Sequence, residues 1–251
     1  MKLGQQIAKG TNNIVYKSED GTMAVKVFND GYAKADVMNE AYIAARIEEV
    51  GGINIPTLKE VPIIDGKFAI AMDYVEGKTM AQLMKENPAD IDKYIDQLVA
   101  IQMEMHTKRC PFLTKMKDKL TDRINRVDLD DNKKYELLTI LDGAPKHNKV
   151  CHGDFTPHNV MIGTDGKAYI LDWNHATQGN ASADVARTYL WLSLHHAEIA
   201  DKYLDTFCAK SGTAKTYVQQ WLPVVAGARL IKKRADEEEL LRKWVDVIEY
   251  Q

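Results

Sequence analysis

The most constraining part of the chain is residues 150–173, where short runs of apolar side chains are interrupted by single polar residues. Residues 160–171 read as two short strands around an Asp-Gly dipeptide, which favours a tight hairpin turn. Asn159 precedes the first of these strands, and Asp172 follows the second. A hairpin would therefore place Asn159 and Asp172 side by side at its open end.

Two adjacent side-chain oxygens, from Asn159 and Asp172, are a suitable ligand pair for Mg²⁺, which completes its shell with water and phosphate. Asp154 ends the preceding apolar segment and would be free to accept a proton. Kinases use these three groups: one Asp orients the acceptor hydroxyl, while an Asn and a second Asp hold metal ions on the nucleotide phosphates. The segment therefore predicts Asp154 as a catalytic residue and Asn159 and Asp172 as metal ligands.

Two other interpretations of this segment stay open. Cys151, His152 and His158 carry zinc-binding groups, although their spacing matches no common structural zinc set. The segment is alternatively a polar hairpin without chemistry, because Asp at strand ends is ordinary turn chemistry. Asp165 is read only as the turn residue of the hairpin, and His152 is expected to hold the catalytic turn, residues 152–154, by packing or local hydrogen bonding.

Strand patterns dominate the first 75 residues, and helical patterns dominate most of the rest. Strands are predicted over 3–8, 13–18, 23–28, 60–64 and 67–72, with one helix over 34–50. Helices are predicted over 79–85, 90–106, 115–127 and 132–141 and from 182 onward, with breaks near 211, 223 and 235. The sequence predicts an α+β chain with a β-rich nucleotide-binding lobe over 1–75 and a mostly helical catalytic and acceptor-binding lobe over 76–251.

Lys26 lies inside the apolar strand sequence MAVKVF at residues 23–28. Alone, it is as well explained as a surface lysine whose stem packs on apolar groups. Glu40 follows fourteen residues later on the predicted helix. Since kinases position a strand lysine on the nucleotide phosphates by pairing it with a helix glutamate, the pair Lys26 and Glu40 is predicted to bind nucleotide.

The turn between the first two predicted strands lies where kinases place a loop over the nucleotide phosphates. It contains Gly10 but not the full glycine-rich pattern, so a plain hairpin explains it equally well. Gly10, Thr11 and Asn12 are the candidate phosphate-contacting residues.

The connector at residues 71–80 resembles a kinase hinge, where main-chain groups bind the adenine edge. Asp73 and Val75 are the candidate main-chain contacts, and Met72 is expected beside the adenine. Met72 is alternatively a core residue, as most such methionines are.

The sequences HGDFTPHN at 152–159 and ILDW at 170–173 resemble the signature of the aminoglycoside phosphotransferase and choline kinase superfamily. The likeness extends to GNASADVAR at 179–187 and covers most of the chain up to about residue 194. It implies a two-lobed protein-kinase-like fold and a small-molecule kinase. It also implies ATP or GTP as phosphate donor and Mg²⁺ as cofactor.

The resemblance spans acceptors such as aminoglycosides, choline and ethanolamine, so we expect transfer of the γ-phosphate to a hydroxyl of a small molecule. A nucleotide-binding pseudokinase scaffold is the alternative. A protein kinase is less favoured, because residues 173–183 contain neither an activation loop nor an Ala-Pro-Glu sequence.

Two acidic features of the C-terminal part carry separate expectations. Asp184 is expected to cap a helix over 184–192 and to hydrogen-bond the catalytic turn. Residues 236–239 could line a site for a cationic acceptor, but a solvated helix start explains them more simply.

Bulk properties limit the partners. The net charge is −3 and the isoelectric point is about 6.2, so no basic excess indicates nucleic-acid binding. No apolar run approaches the roughly 18 residues of a membrane span, and the three scattered cysteines support neither a zinc ribbon nor disulfides. We expect a cytoplasmic monomer or weak dimer that binds nucleotide and a small hydroxyl-bearing substrate.

Overall fold

The computed structural model describes residues 1–246, which pack as two compact units. Unit 1 comprises Met1–Leu83 and His158–Asn174, and unit 2 comprises Met84–Pro157 and the chain from His175 onward. Unit 1 is rich in strands and unit 2 in helices, which confirms the predicted α+β class. The assignment of nucleotide binding to 1–75 and acceptor binding to 76–251 stays a prediction.

The strands are numbered along the chain. They are β1 (Leu3–Lys9), β2 (Asn13–Ser18), β3 (Met23–Phe28), β4 (Leu58–Glu60), β5 (Ile63–Ile64), β6 (Lys67–Asp73), β7 (Gly77–Thr79), β8 (Lys149–Cys151), β9 (Val160–Gly163), β10 (Ala168–Ile170) and β11 (Thr177–Gly179). The helices are α1 (Lys34–Val50), α2 (Met80–Glu86), α3 (Ile91–Met105), α4 (Met116–Arg126), α5 (Asp131–Gly143), α6 (Ala181–His195), α7 (Ala197–Ser211), α8 (Lys215–Gln219), α9 (Leu222–Arg229) and α10 (Ala235–Asp246).

The main sheet of unit 1 is antiparallel, with strand order β1-β2-β3-β6-β4 and β5 paired to β6. The predicted strand over 60–64 is wrong as one element, because the structure divides it into β4 and β5. Pro62 lies between the two and has no N–H to continue a ladder. Asp65 and Gly66 both have positive φ, 49° and 80°, as a tight hairpin turn between β5 and β6 requires.

Side-chain alternation gives the central strands of this sheet two apolar faces. Val25 and Val27 of β3 pack with residues of β6 on one face, and Phe28 packs with Val37 of α1 on the other. Because successive strand residues point to opposite faces, Lys26 shares the face of Phe28. The sheet therefore directs Lys26 towards α1.

A second sheet of unit 1 has the order β10-β9-β7. β9 and β10 are the predicted hairpin, with Val160 opposite Ile170 and Gly166 at φ 78° in the turn. The main-chain N–H of Leu171 donates to the Asn159 carbonyl at 2.8 Å, which continues the ladder beyond the last strand pair. This pairing places Asn159 and Asp172 at the open end of the hairpin, as predicted.

Unit 2 packs α3 to α10 around a shared apolar core and pairs β8 with β11. Fully buried residues such as Leu98, Leu190 and Tyr203 come from three different helices. Asn180 caps α6, since its side chain accepts from the Ser182 N–H at 2.9 Å. The prediction that Asp184 caps this helix is therefore wrong. Among the described residues, no helix combines the length and apolar character needed to cross a bilayer.

Residues 236–239 begin α10. Glu237 is 1% exposed and forms a bidentate pair with Arg229 at 2.6 and 2.7 Å. Glu238 and Glu239 pair with basic residues one turn later on the same helix. These charges are already matched, so the run is a helix start and not an open site for a cationic acceptor.

Candidate active site

Three predicted site residues meet in unit 1. The Lys26 ammonium donates to Glu40 Oε1 at 2.6 Å and to Asp172 Oδ1 at 3.1 Å. Lys26 comes from β3, Glu40 from α1, and Asp172 from the end of β10. Lys26 and Glu40 are each only 8% exposed, so this is a buried charge network and not a surface lysine.

The two carboxylates keep Lys26 charged. Burial alone would lower the pKa of Lys26, but the negative charges of Asp172 and Glu40 outweigh it and raise the pKa above its ordinary value. An ammonium that stays charged in a buried position is suited to holding phosphate oxygens.

Asp172 has a left-handed backbone, with φ of 58°. Such a conformation is uncommon for a residue other than glycine, and it recurs at functional sites. Its side chain is 40% exposed, so carboxylate oxygens remain accessible beside the Lys26 contact. Together with the amide of Asn159 at the same hairpin end, it offers the hard oxygen ligands that Mg²⁺ prefers. The donor set therefore fits the predicted metal.

The turn between β1 and β2 is held by Asn29, which follows β3. Its main-chain N–H donates to the Asn12 carbonyl at 2.9 Å, and its side chain donates to the Thr11 carbonyl at 3.2 Å. The Gly10 N–H donates to the Asn13 carbonyl at 2.9 Å. These bonds use the carbonyls of the turn and leave the Thr11 and Asn12 side chains exposed. Both remain candidates for phosphate contact.

The connector begins in β6 with Met72 and Asp73. The Asp73 N–H donates to the Thr57 carbonyl at 2.9 Å, and its carboxylate pairs with Lys59 at 2.9 Å. The Asp73 N–H is thus used within the protein, so of the predicted pair Val75 is the candidate main-chain donor to adenine. Met72 is half-buried and packs at the edge of the α1-facing cluster.

Asp154 lies on the catalytic turn, which we define as residues 152–154, directly after β8 in unit 2. Gly153 has φ of 74°, a region that disfavours any side chain. Asp184 of α6 accepts from the Gly153 N–H at 2.7 Å and from the His152 N–H at 3.2 Å. The predicted hydrogen bonding between Asp184 and the catalytic turn is thus present, with Asp184 as the acceptor.

His106, at the end of α3, explains how Asp184 is itself held. Its Nε2 lies 3.0 Å from Asp184 Oδ2, and both side chains are almost fully buried. Burial raises the pKa of Asp184, but the hydrogen bond from His106 and the main-chain donors outweigh it and lower the pKa overall. Asp184 therefore stays ionised and holds the catalytic turn through the hydrogen bonds that it accepts from His152 and Gly153. Sequence reasoning missed His106, because an isolated histidine at a helix end carries no specific signal.

Asp154 faces Arg187, with 3.5 Å between Oδ1 and Nη2. Burial acts to raise the pKa of Asp154, but the positive charges of Arg187 and Lys232 outweigh it, and the pKa is lowered. The carboxylate is consequently ionised at neutral pH, as a group that accepts a proton must be. Arg187 was also missed, although it ends the GNASADVAR motif.

The zinc interpretation finds no support in the catalytic turn. Burial raises the pKa of Cys151 well above its ordinary value, so its thiol stays protonated. His152 Nδ1 accepts from the Asp154 N–H at 3.2 Å. Ligand atoms of His106, Cys151 and Asp184 do lie within 4.8 Å of one another. However, both Asp184 oxygens already accept hydrogen bonds, so this buried group is structural.

Gly153→Ala should destabilise the protein by about 3 kcal/mol, combining the cost of positive φ with a backbone clash. The added Cβ would lie 2.5 Å from the His175 carbonyl oxygen. Gly166→Ala is the matched control, because it has a similar φ of 78° and open space around the Cβ. We expect it to cost only about 1 kcal/mol. Equilibrium urea unfolding measures both, and equal losses would contradict the clash.

Glu40→Gln should weaken binding of a nucleoside triphosphate analogue roughly tenfold, because Lys26 loses one of its two carboxylate partners. Calorimetric titration with AMP-PNP and Mg²⁺ measures the effect. Glu49→Gln is the control on the same helix, since Glu49 is 63% exposed and pairs with Arg46. Unchanged affinity in Glu40→Gln would show that the pair does not position Lys26.

A model of the phosphotransferase enzyme family matches residues 4–221. The chain belongs to this family. This membership confirms the family resemblance seen in the sequence and the predicted enzyme class, a phosphotransferase.

Solved structures of the same fold cover nearly the whole chain. A thermostable mutant of aminoglycoside phosphotransferase APH(4)-Ia, in ternary complex with AMP-PNP and hygromycin B, has a TM-score of 0.70 at 14% identity and covers 97% of this chain and 92% of that one. Choline kinase LicA from Streptococcus pneumoniae has a TM-score of 0.70 at 14% identity and covers 100% and 95%. The predicted protein-kinase-like fold is confirmed.

A probable serine/threonine-protein kinase of Clostridium acetobutylicum is 25% identical over 205 residues. The match covers 78% of this chain and 25% of that protein. The chain therefore spans about a quarter of the length of the curated relative it matches.

Proposed function

We propose that this member of the phosphotransferase enzyme family transfers the γ-phosphate of ATP to a hydroxyl of a small molecule, with Mg²⁺ as cofactor. The observation that carries the proposal is the contact of Lys26 with both Glu40 and Asp172. A buried lysine held by one helix carboxylate and one accessible carboxylate is the arrangement that kinases use to grip nucleotide phosphates.

In this proposal unit 1 binds the donor. Lys26 holds phosphate oxygens, while Glu40 fixes its ammonium. Thr11 and Asn12 add donors to the phosphates, with Gly10 allowing close approach. Asp73 and Val75 bind the adenine edge through main-chain groups beside Met72. AMP-PNP in the structure of the aminoglycoside phosphotransferase supports ATP as the donor.

Asn159 and Asp172 would hold Mg²⁺, and their side-chain oxygens fit that role. The ion would neutralise charge on the phosphates during transfer. The left-handed backbone of Asp172 helps to direct its carboxylate at the hairpin end, so the ligand is held in place before the donor arrives.

Asp154 orients the acceptor hydroxyl and accepts its proton. The transition state of phosphoryl transfer is loose, so positioning matters more than a strong base. A carboxylate of lowered pKa suits this role, because it is always ionised at neutral pH. The Asp184 hydrogen bonds keep the turn that carries Asp154 in place.

The protein-kinase alternative gains some support from the name of the Clostridium relative. However, residues 173–183 consist of a short helical turn, β11 and the start of α6, and this length leaves no space for a peptide-binding activation loop. A small-molecule acceptor is therefore preferred. The location in the cytoplasm, the monomer or weak dimer and the absence of nucleic-acid and membrane partners stay predictions.

The proposal is tested by measuring ADP release from ATP and Mg²⁺ with a panel of neutral, cationic and anionic hydroxyl compounds. We expect at least one acceptor to raise ADP release well above hydrolysis to water. Nucleotide binding without turnover on any acceptor would support the pseudokinase scaffold instead. Transfer to added proteins alone would support a protein kinase.

A further inference from the structure

A small pocket of unit 2 adjoins the catalytic turn and is walled by α4 and α6. Its charged residues include Lys119 and Arg123, one turn apart on α4, and Arg187 on α6, which also faces Asp154. Gly153 of the catalytic turn and His175 complete this side of the wall. The unfilled volume is about 30 Å³, room for two or three water-sized groups. That space suits a carboxylate or phosphate group better than a sugar ring.

Positive charge in this pocket is balanced only in part: Lys119, Arg123 and Arg187 line it, and the Asp154 carboxylate that pairs with Arg187 lies outside the lining. Asp184 lines the pocket, but its oxygens accept from His106 and the catalytic turn. Lys119 Nζ donates to a neutral acceptor, the His175 carbonyl, at 3.0 Å. Within the described part of the chain, Arg187 Nε and Nη2 are buried without a hydrogen-bond partner. Buried donors of a charged group are costly to leave unpaired, so the pocket is prepared for a ligand with oxygen acceptors.

Electrostatics point the same way. Burial, together with the charges of Arg123 and Arg187, lowers the pKa of Lys119 to about 7. Burial also lowers the pKa of Arg123 to about 10, with Arg187 again contributing. Cations that repel one another in a partly desolvated pocket are stabilised by an added negative charge.

We propose that this cationic pocket, defined by Lys119, Arg123 and Arg187, binds a carboxylate or phosphate group of the acceptor molecule. The inference rests on the proposed function and narrows its substrate class. The guanidinium of Arg187 can bind two oxygens of such a group, while Asp154 beside it receives the hydroxyl. Aminoglycosides, choline and ethanolamine are cations, and the pocket would repel them.

The terminal phosphate of the nucleotide carries the same oxygen acceptors and is the other group that could occupy the pocket. If the pocket served that phosphate, a bound triphosphate analogue would already fill it. If it serves the acceptor, the pocket would stay open in the presence of the analogue. Inorganic phosphate, titrated with and without saturating AMP-PNP and Mg²⁺, separates these two sources.

Isothermal titration calorimetry on the full chain is the test. We expect inorganic phosphate to bind saturably in both states. Lys119→Met combined with Arg123→Met should weaken phosphate binding roughly 10- to 100-fold, as the loss of charged hydrogen bonds implies. AMP-PNP affinity of this double variant should not change. Arg126→Met is the matched control, because Arg126 lies on the same helix, is 62% exposed and pairs with Asp122.

Three results would overturn the inference: no saturable phosphate binding by the unaltered chain, loss of that binding in the AMP-PNP complex, or unchanged binding in the double variant. The first two need no variant, so a folding defect cannot obscure them. Phosphate binding in the AMP-PNP complex, together with absence of transfer to any acceptor, would instead uphold the pocket and refute the proposed function.

Discussion

An Asp154→Asn enzyme should transfer phosphate with a kcat roughly 10²- to 10⁴-fold lower than that of the unaltered chain. Asparagine keeps the shape of the side chain and can still receive a hydrogen bond. It cannot accept a proton, and it lacks the negative charge that orients the acceptor hydroxyl. Steady-state ADP release with the best acceptor of the panel measures the loss.

Nucleotide affinity and a control variant distinguish this loss of catalysis from indirect damage to the protein. AMP-PNP affinity should be unchanged, because the residues proposed to hold the donor belong to unit 1. Asp165→Asn is the matched control: Asp165 is the hairpin turn residue, and its partners are the nearby Lys167 and the Tyr169 hydroxyl. It should retain full activity. Asp154→Asn with most of its transfer intact would refute the assignment of Asp154.

The pH dependence of the unaltered enzyme gives a second check on Asp154. Its folded-state pKa is lowered, so the carboxylate stays ionised at pH values well below the pKa it has in the unfolded chain. Its contribution to folding stability is present above the unfolded pKa and is lost only as the pH falls through the lower folded pKa. Protonation of Asp154 should therefore cause no fall in kcat between pH 7 and pH 5.

Asp172→Asn should lower kcat roughly 10²- to 10³-fold, the size expected when stabilisation of transition-state charge is lost, because the proposed Mg²⁺ would lose its charged ligand. Asparagine tolerates the left-handed backbone at this position, so the variant removes charge without adding strain. Lys26 also loses its second carboxylate. The clearest readout is AMP-PNP affinity with and without Mg²⁺, and we expect the Mg²⁺-dependent gain to disappear.

Asp65→Asn provides the control for Asp172→Asn. Asp65 has a similar φ of 49° and follows a strand in a hairpin of the same unit, but it lies outside the proposed site. It should keep both activity and the Mg²⁺ response. An Asp172→Asn protein whose nucleotide affinity still increases with Mg²⁺ would show that the metal is held elsewhere.

Local signals predicted much of unit 1. The bounds of β2, β3 and α1 agree with the predicted 13–18, 23–28 and 34–50, because alternation, helical spacing and Asp-Gly turns are properties of neighbouring residues. The same locality explains why Asn159 and Asp172 were expected together. Lys26 could be paired with Glu40 only by analogy with kinases, since the strand itself does not reveal which face α1 covers.

The misses lie in unit 2, where distant segments create the environment. Asp184 was expected to cap a helix, but Asn180 caps it, and Asp184 lies buried within the helix, where it accepts hydrogen bonds from the catalytic turn. Lys119 and Arg123 belong to a helix whose pattern resembles an ordinary amphipathic surface. Their meeting with Arg187, more than sixty residues later, depends on the packing of α4 against the rest of the unit, which no short sequence window contains.

The division of unit 1 into two chain segments has a consequence for how the protein emerges from the ribosome. β7 pairs with β9, and the loop at Asn54 bonds to β10 through Ala168 and Ile170. Domains generally fold as units during synthesis, but unit 1 cannot finish until residue 174 has been made. A nascent chain stopped at Leu83 would carry Lys26 and Glu40 without Asp172, so the proposed nucleotide site would be completed late, after α3, α4 and α5 have been translated.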